Sequence, residues 1–199
     1  MSALRSGPGV LILLLAGLVA GPADADPISL PQDGWYRWEV AAGAAGQKAC
    51  CYNFRSGNIQ RVECRLGDSG DGMIMEDDCE VHSDMMQVFV EVSGGRVREI
   101  QPLSSTCPVR TPADIRTIDR VSTADSIEWL KAQVAHNPTI ADEAVMTLSF
   151  HAEREALQAL VTILEDSQNR MDAREQALFW MVQSGSDEAF AYLDRLLDG

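Results

Sequence analysis

The chain has 199 residues, 46% of them apolar, and a formal net charge of −14 from 30 acidic and 16 basic side chains. That balance argues against nucleic acid or an anionic membrane as partner, since both are gripped by clustered Lys and Arg. It suits an acidic, solvated surface and leaves a basic partner or cationic ligand open.

Residues 1–25 read as a secretory signal. Arg5 supplies a positive n-region, residues 10–20 are apolar apart from one glycine, and Ala23-Asp24-Ala25 gives a small-x-small cleavage pattern before Asp26. As a helix the apolar run spans only about 16 Å, roughly half a bilayer core, so it is too short to anchor the chain. No cysteine precedes Cys50, so no lipidation site follows the run. The expected address is the periplasm or the exterior, with cleavage near Ala25.

Residues 35–40 alternate, with Tyr36, Trp38 and Val40 on one face, Arg37 and Glu39 on the other, and Trp35 out of pattern. A strand over 48–54 leads into a turn at Arg55-Ser56-Gly57-Asn58, and 60–66 returns with Val62, Cys64 and Leu66 inward. An acidic loop without period fills 67–84. A hairpin follows, with Met86, Val88, Val90 and Val92 on one face, a Ser93-Gly94-Gly95 turn and a return over 96–103. The expectation over 33–108 is a small antiparallel β domain of about five strands, with little core of its own and a need for disulfides.

A proline-bearing connector covers 109–121. Ser122, with Asp125 three residues on, predicts the N-cap of a helix that stops before Asn137-Pro138, with Ile127, Leu130 and Val134 inward and Trp129 at its margin. Four more helices are expected over 140–151, 153–166, 172–184 and 186–197. These last segments repeat: a shift of 33 residues carries Asp142 to Val145 onto Glu175 to Leu178. The same shift carries Glu155-Ala156-Leu157 onto Glu188-Ala189-Phe190, and Leu160, Ile163 and Leu164 onto Leu193, Leu196 and Leu197. A period in the thirties marks stacked helical pairs. Small side chains at Ala144 and Ala177 let paired helices approach closely.

The run Ala173-Arg174-Glu175-Gln176-Ala177-Leu178-Phe179-Trp180-Met181, with Gly185, Glu188-Ala189, Leu193 and Leu196-Leu197, resembles the HEAT family in its short phycobilisome-lyase-type form. The resemblance covers about 60 residues of 122–199 and implies a surface that binds other proteins along its helices. It does not extend to lyase chemistry, for which no chromophore-handling residues are visible. The fold class expected is therefore α+β: the disulfide-braced β domain followed by a HEAT-like array, with 122–136 as a degenerate cap.

Little in the sequence speaks for catalysis. There is no Gly-x-Ser-x-Gly elbow and no His-Glu-x-x-His, and His136 and His151 fall at predicted helix ends, where the dipole favours them. No cofactor is expected. The leading expectation is a non-enzymatic module for an unidentified protein partner. Its partner-binding residues are Arg154, Gln158, Thr162 and Arg195, since polar positions on the second helices differ between copies. The alternative is a copper or thiol-redox protein using Met73, Met75, Cys79, His82 and Met85, because thioether, thiolate and imidazole together suit Cu(I). Asp68 and Asp71 lack the alternate acidic spacing of a calcium loop.

The five cysteines, Cys50, Cys51, Cys64, Cys79 and Cys107, predict two bridges and one thiol. Adjacent cysteines rarely bridge each other, so Cys50 and Cys51 need separate partners. A three-residue turn at 56–58 sets Cys50 opposite Cys64; Cys51 then takes a partner from elsewhere, with Cys107, at the Thr106-Cys107-Pro108 exit from the sheet, preferred to Cys79, which becomes the odd thiol. A two-residue turn at 56–57 sets Glu63 opposite Cys50 instead and weakens that assignment.

Overall fold

A computed structural model of the chain describes residues 28–55, 58–67, 73–75 and 83–198. The expected signal segment, 1–25, lies outside the described residues. Among the described residues, nine strands and six helices run in the order β1 (Gly34–Ala41), α1 (Ala44–Lys48), β2 (Ala49–Arg55), β3 (Asn58–Val62), β4 (Cys64–Arg65), β5 (Met73–Met75), β6 (Met85–Ser93), β7 (Arg96–Ser104), β8 (Val109–Arg110), β9 (Arg116–Thr117), α2 (Thr123–His136), α3 (Ala141–Ser149), α4 (Glu153–Glu165), α5 (Met171–Ser184) and α6 (Asp187–Asp198). The main sheet has the order β7-β6-β1-β9; β3-β2-β5 and β4-β8 form two smaller ones. The class is mixed α and β with two disulfides.

The main sheet carries a core on each face, the second covering only part of it. Tyr36, Trp38 and Val40 of β1, with Met86, Val88 and Val90 of β6, join one core with Ile127, Leu130, Ala144, Val145, Leu148 and Leu160 of the helices. Successive side chains on a strand point to opposite faces. The other face carries Trp35, Phe89 and Leu103 into a second core with Tyr52 and the four bridged cysteines. Trp35, out of pattern in a one-sided strand, is explained by this second core. Phe89 and Leu103 are fully buried there, each contributing roughly 1.5–3 kcal/mol through removal from water.

Several sequence expectations are corrected. The strand expected over 48–54 is preceded by a helix, α1, that docks against the segment after α3. There a Cβ on Gly46 would lie 2.3 Å from the Phe150 carbonyl oxygen, so only glycine admits this approach. The segment 109–121 carries β9, whose Arg116 and Thr117 pair parallel with Tyr36 and Arg37. Trp129 is buried rather than marginal: its ring meets Trp38 edge-on, centroids 5.2 Å apart.

The helices form where their caps and apolar spacing dictate. Ser122 and Asp125 form a reciprocal capping box, each accepting a backbone N–H at 3.1 Å from the other. Past the end of α2, the Asn137 amide donates to the Val97 carbonyl and ties this turn to β7. Gly185, in the left-handed conformation, closes α5. Among the described residues no helix is long and apolar enough to cross a membrane.

Candidate functional site

The four side chains named from the sequence line two grooves on either side of α4. Arg154, Gln158 and Thr162 recur every four residues on α4 and so share a face. A groove of about 310 Å³ between α4 and α6 is lined by Arg154, Leu157, Gln158, Val161, Tyr192 and Arg195, with Glu188 and Ala191. A second groove of about 350 Å³, between α2 and α4, is lined by Ile127, Lys131, Arg154, Gln158, Ala159 and Thr162, among others. Arg154 and Gln158 border both, so the two grooves flank the same stretch of α4.

The chemistry of this face is mixed. Thr162 Oγ1 donates to the Gln158 carbonyl at 2.8 Å, a bond internal to the helix. Arg195 lies over the Tyr192 ring, 5.9 Å from its centroid, and Tyr192 donates its hydroxyl to Glu165 at 3.0 Å. Desolvation, then the Glu165 carboxylate, raise the phenol above its ordinary pKa. Lys131 is paired with Glu128 at 2.9 Å. Among the described residues Arg154 makes no ion pair, so its charge faces the groove unneutralised. Tyr192 was not singled out from sequence, although its place three residues before Arg195 on one helix face is the signal that links them.

The fold also creates a buried hydroxyl–imidazole pair. His151 is sealed from solvent just past α3, with Nδ1 2.9 Å from the Thr147 carbonyl and Nε2 2.9 Å from Ser126 Oγ. A carbonyl only accepts, so Nδ1 carries the proton and Nε2 accepts from Ser126. Ser126 Oγ in turn accepts from the Trp38 indole N–H at 2.9 Å. Burial pushes the imidazole down to about 4, so it is neutral at physiological pH. The pair has the spacing of a nucleophile and its base. Both side chains, however, are 0% exposed, and no reacting atom could approach the hydroxyl. Its geometry joins β1, α2 and the end of α3. His151 does fall at the helix end expected from the sequence, just past α3, but burial keeps it neutral there, so the helix dipole has no imidazolium to stabilise.

A further cleft of about 310 Å³ opens where α1 meets the turns after α3 and α5, with Lys48, Ser149, Gln183, Ser184 and Ser186 on its lining. Ser149 and Ser184 spend their hydroxyl protons on the Met146 and Met181 carbonyls, at 2.6 and 2.7 Å.

The four bridged cysteines are those expected, but the partners are exchanged. Cys50 pairs with Cys107 and Cys51 with Cys64, at Cα separations of 5.6 and 5.2 Å. The cause is the register: Arg55 faces Asn58 and Cys51 faces Val62, the pairing of a two-residue turn at 56–57. That one-residue slip moves Cys51, not Cys50, onto the face of Val62 and Cys64. The Arg61 guanidinium donates to the Thr106 carbonyl and holds the 104–107 turn beside this pair. Of the metal alternative, Cys79 and His82 lie outside the described residues. The backbones of Met73 and Met75 pair with Cys51 and Ala49, and Met85 opens β6 partly exposed. Among the described residues no three His, Cys, Asp or Glu side chains are grouped to hold a metal ion.

Compared with protein-family models, curated proteins and solved structures, the chain matches none.

Proposed function

We propose that this chain is an exported, periplasmic, non-enzymatic protein–protein interaction module built on a short HEAT-like array, with the grooved α2–α4–α6 face as its binding surface. The array reading is supported by the 33-residue shift, which carries α4 onto α6 and α3 into α5. It also pairs Ala144 with Ala177, Leu148 with Met181 and Ala156 with Ala189, all buried. Export is supported by the two disulfides, which form and persist in oxidising compartments, and by the signal-like segment at 1–25.

The observation that carries the binding reading is that Arg154, Gln158, Thr162 and Arg195 all line two adjacent grooves flanking α4. Arginine over an aromatic ring, flanked by Leu157 and Val161, has the composition of an interface anchor. The test is photocrosslinking in the native compartment from a reactive side chain at Gln158 or Thr162. A defined partner should be captured there and lost when Arg154→Glu and Arg195→Glu are combined. Equal capture from Glu91, on the distant sheet, or indifference to the charge reversal would sink the assignment.

A further inference from the structure

All but one of the large apolar side chains left exposed among the described residues lie on α5 and α6; the exception is Met85. On α5 they include Leu178, Phe179 and Val182, and on α6 Phe190, Leu196 and Leu197, from 37% exposed at Leu178 to 84% at Leu197. The two stripes are coherent. Leu178 and Val182 are four residues apart, and Phe190 and Leu197 seven, spacings that keep side chains on one helix face. α6 buries only Ala189 completely, so most of its apolar side looks outward. An apolar surface of this kind on an acidic protein marks an interaction site.

The chain itself shows what closes such a face. Thirty-three residues earlier, Val145 and Ile163 hold the positions of Leu178 and Leu196 and are 0% and 2% exposed. Leu157 and Leu164, the counterparts of Phe190 and Leu197, are packed on the main core. There the neighbours are helices, with α3 and α4 both packed against α5. A helix is thus the shape that fits. The two helices that frame the face set its charge: α5 and α6 carry six acids, Asp172, Glu175, Asp187, Glu188, Asp194 and Asp198, against Arg174 and Arg195, with Asp172 paired to Arg170 and Glu188 and Arg195 bordering the α4–α6 groove. A second copy would bring two such acidic frames together, at a cost from like-charge repulsion.

From the apolar stripes, the buried counterparts and the acidic frame, we infer that the α5–α6 face docks a basic amphipathic helix of another protein. The helix would present leucine-like side chains at i, i+4 and i+7 and Lys or Arg along its flanks. This rests on the proposed array reading for the choice of a helix as occupant, but its apolar anchors Leu178, Phe179, Val182, Phe190, Leu196 and Leu197 are not among the residues lining the α4 grooves.

The experiment is fluorescence anisotropy of the full exported chain with a labelled 18-residue Leu/Lys peptide in amphipathic order, at physiological salt. A peptide of the same composition in scrambled order is the control. The amphipathic peptide should bind at least ten-fold more tightly, and Phe179→Glu with Leu197→Glu should remove at least ten-fold of that affinity with helicity by circular dichroism unchanged. Equal binding of the two peptides would reduce the effect to net charge and overturn the inference. So would an affinity untouched by the double substitution. Sedimentation showing a dimer that the same substitutions dissolve would make a second copy the occupant and likewise overturn it. Arg154→Gln should leave peptide affinity within about two-fold; a larger loss would move the peptide to the groove. Failure of the peptide to bind leaves crosslinking from Gln158 and Thr162 untouched, so the two readings fail separately.

Discussion

The two faces of the main sheet are held by different physics. On the helical face Trp38, Met86, Val88 and Val90 meet buried residues from four helices, α2 to α5, in one continuous core. On the other face Trp35, Phe89 and Leu103 meet a handful of residues, four of them bridged cysteines. A large core supplies its own stability, whereas a small one leaves its strands short of apolar area and leans on covalent closure. The comparison teaches that stability in this chain is unevenly sourced, and that the source predicts which change harms which face.

The largest effect should come from breaking the helical face. Leu160→Asp buries a carboxylate beside Ile163 and Ala159 and should cost more than about 4 kcal/mol, enough to abolish most of the far-ultraviolet helical signal. If the faces are independent, peptide mapping of that variant still finds Cys50–Cys107 and Cys51–Cys64; scrambled bridges would show that the faces fold as one unit.

Next come the bridges, where sequence separation sets the order. Replacing Cys50 and Cys107 together opens a loop of 57 residues and should cost about 4 kcal/mol, against about 3 for Cys51 and Cys64 across 13. Urea unfolding under non-reducing conditions reads both. Equal losses would mean that packing around the cysteines, not chain closure, decides the cost.

The faces should also differ in response to acid. His151 titrates near 4 when folded against about 6.5 unfolded, so the unfolded chain takes up the proton first. Stability from the neutral imidazole is complete above about pH 6.5 and falls as pH drops to about 4, by roughly 3 kcal/mol. Unfolding midpoints of the wild type and His151→Gln, measured across that window, should converge toward low pH. Parallel curves would remove the buried histidine as the acid-sensitive element. The smallest effect is local: Ser122→Ala deletes half the capping box and should cost about 1 kcal/mol, read as a lowered melting temperature.

Much of the helical face was legible in the sequence, because a helix records its buried stripe in its own spacing. The inward positions Ile127, Leu130 and Val134, the Ser122 cap and the Gly185 stop were all readable before any coordinates. The β region yielded less. Trp35 and Phe89 break the alternation that marks a one-sided strand, and only the second core explains them. Register turned on whether the 55–58 turn holds two or three residues, a choice that both sequences of pairing satisfy locally. Of the candidate site, the polar positions on α4 were legible from the differences between copies. The exposure of Leu196 against the burial of Ile163 was not, since the same residue pattern is closed in one place by a neighbour and open in the other. Nor could spacing reveal that His151, 25 residues from Ser126, meets its hydroxyl.

The neighbouring cysteines of β2 impose an order in time. A chain is made and delivered from its N-terminus, so Cys50 and Cys51 emerge together and meet Cys64 first, then Cys79, and Cys107 last. The Cys51–Cys64 bridge can close early, but Cys50 must stay unspent while two nearer thiols pass. Oxidation in order of appearance would capture Cys50 with the wrong partner. The final pairing therefore requires either that Cys50 stays reduced until Cys107 arrives or that a premature bridge is exchanged, and β7 with the 104–107 turn brings the correct partner into place.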